Sequence, residues 1–136
     1  MNPERFWNLI NSEWPGVVRS KGFFWLASRP SHAGSWSQAG AVCRHGLAGL
    51  WWAAVPKADW PTDAESLAFI NANWTPEVGD ARQELVLIGI DIDEPGMNQR
   101  LDACLLTDAE MADGPRAWIG YADPFPEWGV RVPETV

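Results

Sequence analysis

Cys43 and His45 are the residues whose types and spacing most directly suggest chemistry. They form a Cys-x-His pair in a glycine-flanked segment, and His32 lies in the segment before it. Thiolate and imidazole groups suit zinc or cobalt, but a closed zinc site needs four ligands. Only Cys104, on an expected core face, or distant carboxylates could complete the set. The pattern predicts a weak zinc or cobalt site at Cys43, His45 and His32; the alternative is a small buried thiol beside a polar loop histidine.

Arg19 and Lys21 form a basic pair that leads into Gly22 and the apolar run "FFWL". A phosphate-binding loop places its lysine after the glycines and before a serine or threonine. Here Lys21 precedes the glycine, so the segment is not such a loop. Two interpretations stay open. The pair is either solvated at the start of a strand, or it forms a cationic contact for an anion or a partner's carboxylate.

The candidates for catalysis are few. Asp91 and Asp93 follow an apolar run, but Asp93 also suits the N-cap of the next helix. No serine lies in a G-x-S-x-G setting, and Cys43 and His45 are too close in sequence for a good nucleophile–base pair. We therefore expect no catalytic residue on this chain, and a hydrolase is the least favoured function.

The composition is that of one acidic globular domain. The chain has 136 residues, 46% of them hydrophobic, and a formal net charge of -8. Sequence-independent binding to nucleic acid or to an anionic membrane needs surplus Lys and Arg, so we expect neither partner. The two cysteines do not form a disulfide framework. Neither a signal peptide nor a long apolar run is apparent, which predicts a cytoplasmic protein.

The ten tryptophans are unusual for a chain of this size. Tryptophan is rarely buried completely, and its indole N–H usually needs a hydrogen-bond acceptor. We expect most of them in an aromatic-rich core and a few at an interface. This leaves an alternative function, a small-ligand binding domain whose cleft is lined by Trp25, Trp36, Trp51 and Trp52.

The first half of the chain reads as one helix and three strands. Asn2 and Pro3 predict a helix start, and Pro15-Gly16 predicts its end. Three strands are expected at residues 17–28, 36–42 and 50–55, with a loop at "RPSHAGS" and a turn at "CRHGLAG". These strands predict an antiparallel meander.

The second half reads as helices around one strand. Thr62 and Glu65 have capping-box spacing and predict a helix with Leu67, Ile70 and Trp74 on one face. The apolar run 83–91 predicts a central strand buried on both faces. A helix carrying Met97, Leu101, Cys104 and Leu105, a short helix capped by Thr107, and an extended tail at 122–136 complete the chain. The fold expected is a single α+β domain of two layers, with helices on a mainly antiparallel sheet of about four strands.

Four segments together resemble one known family. "RSKGFFWLASRP", "SWSQAG", "RQELVLIGIDID" and "LDACLLTDAEM" are similar to the C-terminal domain of CobW-like P-loop GTPases, and the resemblance covers roughly residues 2–128. Family members deliver metals, cobalt in cobalamin biosynthesis and zinc or others elsewhere. The nucleotide-binding motifs and the Cys-x-Cys-Cys metal motif of the GTPase half do not occur in this sequence. The resemblance thus implies a non-catalytic accessory domain, with GTP hydrolysis on a separate domain.

The resemblance also implies partners. Arg19, Lys21 and Trp25 belong to the signature strand of the domain, and we expect them to shape the surface that meets the GTPase domain or a metal-receiving client protein. A strand that usually precedes the first helix is not present here, which predicts an unpaired sheet edge and a homodimer through that edge.

Overall fold

The computed structural model describes residues 1–128. Four strands form one antiparallel sheet in the order β3-β2-β1-β4. The elements along the chain are α1 (Pro3–Ile10), β1 (Val17–Trp25), β2 (His32–Ala39), β3 (Val42–Leu50), α2 (Ala64–Ala72), β4 (Glu84–Gly89), α3 (Glu94–Asp102), α4 (Asp108–Asp113) and α5 (Pro115–Trp118). The α+β class and the antiparallel sheet are confirmed.

One face of the sheet is covered by an aromatic core. Phe24 of β1 and Trp36 of β2 point to this face, because side chains alternate along a strand. Phe6 of α1 packs on Phe24 with ring centroids 4.9 Å apart, and Phe125 lies 6.0 Å from Phe6. The helix is held at its start by Asn2, whose Oδ1 accepts from the Arg5 N–H at 3.0 Å. Burial of these rings supplies the main free energy of this layer.

The opposite face of the sheet is covered over one half only. There Trp25 of β1 packs against Trp118 of α5 with ring centroids 5.4 Å apart. Ala33 and Trp51 belong to the same buried cluster, with Met111 of α4 packed against it. The other half of this face has no covering element among residues 1–128.

The boundaries of β2 and β3 differ from those predicted. The predicted turn at 43–49 is wrong, since these residues pair with β2 throughout β3, and the predicted loop at 29–35 already contains the start of β2. The predicted strand at 50–55 is also wrong, because Trp52–Ala54 is a 3₁₀ turn. The Asp80 carboxylate accepts from the N–H groups of Trp52 and Ala53 at 3.0 and 2.9 Å, which holds this backbone away from a strand ladder.

Strand β4 was predicted to be central and buried on both faces, and this is wrong. It is an edge strand that pairs with β1 alone. Leu85 and Leu87 face α3, whereas Val86 and Ile88 on the other face are each 60% exposed. An apolar run of this length does not distinguish a central strand from an edge strand with one bare face.

The helix caps were mostly predicted correctly. Thr107 and Glu110 form the full capping box of α4, and Asp93 caps α3. The cap of α2 is Asp63 and not Thr62. Trp74 lies beyond the end of α2, so it does not continue the helix face that was predicted for it.

The segment expected as an extended tail is partly described. Between 121 and 128 it has neither helix nor strand. Arg29 holds this segment, with Nε 2.8 Å from Asp123 Oδ2 and Nη2 2.8 Å from the Phe125 carbonyl oxygen. Phe125 thereby enters the core. Residues 129–136 of the expected tail lie outside the described residues.

Candidate contact surface

On the face of the sheet that α5 covers in part, the half without a covering element among residues 1–128 carries a group of side chains that we call the basic sheet face. Arg19 and Lys21 lie two apart on β1 and so point to the same side. Directly paired residues of adjacent strands share a face, so the register defines the rest. The basic sheet face consists of Val86, Lys21, Ser37 and Arg44 in one row and Ile88, Arg19, Ala39 and Val42 in the next.

The cations of the basic sheet face form no ion pair within residues 1–128. Arg19, Lys21 and Arg44 are exposed, and none of them belongs to a salt bridge among residues 1–128. Glu84, opposite Phe23 on the same side, is paired with Arg82 at 2.8 Å. Three of the chain's ten Lys and Arg residues thus gather on one surface of a protein with a net charge of -8.

Aliphatic side chains border these cations. Val42 is 61% exposed, and Val86 and Ile88 are 60% exposed each. Val42 lies on the β3 edge, while Val86 and Ile88 lie on the β4 edge. Exposed apolar side chains gathered on one surface mark sites of contact with another protein.

Trp25 was expected to join Arg19 and Lys21 at a contact surface, and the structure places it on the same side of β1. It lies in the covered half, however, and is only 4% exposed. Its indole Nε1 donates to the Pro30 carbonyl oxygen at 3.2 Å. Trp25 can therefore support the strand but cannot itself touch a partner in this conformation.

The metal candidates lie elsewhere. Cys43 and His45 are on the opposite side of β3, paired with Gln38 and Trp36. His32 is on β2, four residues from Trp36, which places it roughly 13 Å farther along the strand. Within the described part of the chain, no three His, Cys, Asp or Glu side chains form a group suited to a metal ion. The structure brings Cys43 and His45 together and leaves His32 apart.

The His45 ring is held between aromatic side chains. It packs edge-on against Trp7 at 5.9 Å and Phe125 at 5.5 Å between ring centroids. Its Nδ1 is buried and has no hydrogen-bond partner within residues 1–128. Burial of the ring, and then the positive charge of Arg29, lower the pKa of His45 below 6.5. A neutral imidazole is the form that binds metals, yet with the exposed thiol of Cys43 it supplies only two ligands.

The tryptophans expected to line a ligand cleft are divided between the two faces of the sheet. Trp36 lies in the aromatic core, where it stacks on Trp14. Trp51 and Trp52 do line a cavity of about 240 Å³. Its other walls include Phe69 and Arg82, which the sequence did not single out, and the Arg82 guanidinium lies 5.6 Å from the Phe69 ring.

Most of this chain matches one protein family. The family described as "Cobalamin synthesis protein cobW C-terminal domain" matches residues 1–105. This chain belongs to the CobW C-terminal domain family. No solved structure gives a significant match to it.

Two curated relatives of this CobW C-terminal domain carry names that refer to zinc. "Zinc-regulated GTPase metalloprotein activator 1" of Dictyostelium discoideum is 38% identical over an alignment 128 residues long, which covers 91% of this chain and 27% of that protein. "Zinc chaperone Rv0106" of Mycobacterium tuberculosis (strain ATCC 25618 / H37Rv) is 33% identical over an alignment 128 residues long, which covers 93% of this chain and 32% of that protein. The chain therefore spans about a third or less of the length of these relatives.

Some residues of the candidate contact surface of this CobW C-terminal domain are not indicated by the sequence. Arg44, Val42, Val86 and Ile88 were not proposed as contact residues. The sequence pattern predicts a buried strand at Val86 and Ile88 and a turn at Arg44. A period-two pattern that included Val42 and Arg44 could have placed these two on one face of a strand.

No helix among residues 1–128 is long and apolar enough to cross a membrane.

Proposed function

We propose that this chain is a cytoplasmic, non-catalytic accessory domain of a CobW-like, metal-trafficking GTPase system. Its partner is the GTPase domain or a metal-receiving client protein, and the contact is made by the basic sheet face. The observation that carries the proposal is the basic sheet face itself, where three cations without a salt bridge among residues 1–128 lie beside exposed aliphatic side chains. The zinc-related names of the relatives support zinc as the metal that the system handles.

The test is an association measurement with a purified GTPase domain of a CobW-family protein from the same organism. Arg19→Glu with Lys21→Glu should weaken binding at least about tenfold, because each reversal places a like charge against the partner. Arg116→Glu with Lys57→Glu is the matched control, since both residues are exposed elsewhere and the change in net charge is the same. Equal binding by both double variants would remove the basic sheet face from the proposal.

We further propose that Cys43 and His45 form at most a weak, transient zinc or cobalt site, to which His32 adds nothing in this conformation. Two ligands leave the rest of the coordination sphere to water or to a partner. A competitive titration of the reduced, metal-free chain beside a Cys43→Ala, His45→Ala variant tests this. Binding tighter than about micromolar that disappears in the variant would make the domain a metal carrier in its own right.

A second candidate function is small-ligand binding at the cavity lined by Trp51, Trp52 and Phe69. Its volume of about 240 Å³ suits only a small molecule. Tryptophan quenching by a small molecule, lost in Trp52→Ala and unaffected by metal or by the GTPase domain, would favour this function.

A homodimer through the outer edge of β4 is also proposed. That edge has no strand partner among residues 1–128, and an open edge is a template for pairing. Light scattering across a concentration series tests it, and a constant monomer mass would count against the dimer.

A further inference from the structure

The basic sheet face also indicates which kind of partner structure binds it. We infer that the basic sheet face receives an acidic amphipathic helix of the partner protein, with the carboxylates of the helix placed over Arg19, Lys21 and Arg44. The inference rests on the proposed function, because it names the occupant of the same surface.

Charge is the first reason for an acidic occupant. Arg19 and Lys21 lie on β1 and Arg44 lies on β3, with Ser37 of β2 between them, since Lys21 pairs with Ser37 and Ser37 pairs with Arg44. No carboxylate of residues 1–128 forms a salt bridge with them. Like charges this close repel one another, and an acidic partner removes that repulsion while it gains attraction. The acidic remainder of the chain repels a partner that docks in any other orientation.

The aliphatic border is the reason for an amphipathic occupant. Val42 on one side and Val86 and Ile88 on the other leave more than half of their side chains in water. A purely polar ligand, such as a phosphate group, would leave this apolar area exposed. An occupant with apolar residues beside its carboxylates buries both kinds of group in one contact.

The shape of the surface favours a helix. The four strands span about 14 Å from β3 to β4 at the usual strand spacing, and two residue rows occupy about 7 Å along the strands. A helix is about 10 Å wide, and three of its turns are about 16 Å long. The neighbouring half of the same face is already covered by α5 through Trp118. Helices are a common cover for a sheet face, so a helix from the partner would extend the cover that α5 begins on this face.

A second copy of this chain does not fit the basic sheet face, because it would bring a second set of three cations against the first. Binding of an anionic lipid surface is the main competing use of a basic surface with aliphatic residues, and the experiment therefore includes it as a separate arm.

The experiment uses two synthetic peptides of about 18 residues, long enough to form a helix. Both carry the same Leu and Ala stripe, which is flanked by Glu in one peptide and by Lys in the other. Fluorescence anisotropy with the full chain measures binding at low and high salt, and vesicles that contain phosphatidylserine form a third arm. We expect the Glu peptide to bind at least about tenfold more tightly than the Lys peptide, and to weaken strongly as salt screens the charges.

Two variants locate the binding. Arg19→Glu with Arg44→Glu should abolish binding of the Glu peptide, and Arg116→Glu with Lys57→Glu should leave it unchanged. Val86→Ser with Ile88→Ser should weaken it without changing its salt dependence. Equal binding of both peptides, or binding of vesicles without binding of the Glu peptide, would overturn the inference. If the GTPase domain binds through Arg19 and Lys21 and the Glu peptide does not bind, the helix inference fails while the proposed function stands.

Discussion

Arg5, on the first helix, and Glu110, on α4, form an ion pair although 105 residues separate them in the sequence. The Arg5 Nε also donates to the Ala103 carbonyl oxygen at 3.0 Å, and Asn2 Nδ2 donates to Glu110 Oε2 at 3.0 Å. Thr107 donates its backbone N–H to Glu110 Oε1 at 3.0 Å. Glu110 therefore joins the start of α1 to the start of α4 while it completes the capping box of its own helix.

We expect Glu110→Gln to destabilise the domain at neutral pH by about 2 kcal/mol. This free energy is smaller than the full pKa shift of Glu110 implies, because the Arg5 side chain is 37% exposed and water weakens the ion pair. The bonds from Arg5 first, and then those from Thr107 and Asn2, lower the pKa of Glu110 from 4.5 to about 2. A depressed carboxyl pKa stabilises the fold above the unfolded value and loses that effect as pH falls through the folded value.

Urea unfolding across this range tests the expectation. The difference between wild type and Glu110→Gln should shrink as pH falls from about 4.5 to about 2. Glu77→Gln is the control, since Glu77 is exposed and makes no side-chain hydrogen bond or salt bridge among the described residues. If the difference in unfolding free energy between wild type and Glu110→Gln persisted at about pH 2, ionised Glu110 would not be the source of the stabilisation.

Arg29 should be a major determinant of stability. Its guanidinium bonds Asp123 and the carbonyl oxygens of Phe125 and Pro126, and it lies 4.4 Å from the Trp128 ring centroid. Because Arg29 and Asp123 are both largely buried, Arg29→Ala should cost about 3 kcal/mol.

Arg29→Lys should recover little of that loss, since an ammonium cannot make the paired contacts of a guanidinium. Chemical denaturation measures both variants, and Arg116→Ala, at an exposed site, should change stability by no more than about 0.5 kcal/mol. Full rescue by lysine would show that charge alone matters at this position.

His45 should make the fold less stable at mildly acidic pH. Its pKa is lowered from 6.5 by burial and by Arg29, so the unfolded chain binds a proton more readily than the folded one. The contribution of neutral His45 to the stability of the fold is fully present above about pH 6.5, and it declines as pH falls toward the pKa of His45 in the folded state. His45→Phe keeps an aromatic ring between Trp7 and Phe125, and the melting temperature of this variant should depend less on pH between about 7 and 5. His32→Gln, which alters the other histidine, should retain the wild-type dependence of melting temperature on pH. If this dependence became weaker in His32→Gln and not in His45→Phe, the effect would belong to His32.

Gly22 should not tolerate a side chain. Its φ is +156°, and a Cβ there would overlap the backbone of Glu84 on the adjacent strand. Gly22→Ala should therefore disrupt pairing of β1 with β4 and cost about 2 kcal/mol or more. Gly46→Ala is a matched control on β3, because no atom lies within 4 Å of a Cβ built at that glycine. Similar melting temperatures for both variants would contradict the expected steric conflict.

The features that the sequence predicted well are those that depend on near neighbours. The caps at Asn2, Asp93 and Thr107 follow from hydrogen bonds that span three residues, so a single segment contains all the information needed. The acidic net charge and the resemblance of four segments to the CobW-like family can likewise be found from the sequence without knowledge of packing. The α+β class follows from the balance of helix and strand patterns.

The position of each strand in the sheet depended on distant pairing. The segment with Cys43 and Gly46 resembles a turn by composition, but its bonds with β2 make it a strand. The run that contains Val86 and Ile88 has the apolar pattern of a buried strand, and only the sheet order leaves it at an edge. Local propensity cannot settle such cases, because strand pairing is decided by residues far away in the chain.

The basic sheet face shows both contributions. The sequence by itself places Arg19 and Lys21 on one side of a strand, since side chains alternate with a period of two. Only the tertiary structure adds Arg44 from β3 and covers Trp25 with Trp118. It leaves the three cations without a salt bridge in the described part of the chain. It also separates His32 from Cys43 and His45, because strand register sets distances that sequence spacing does not contain.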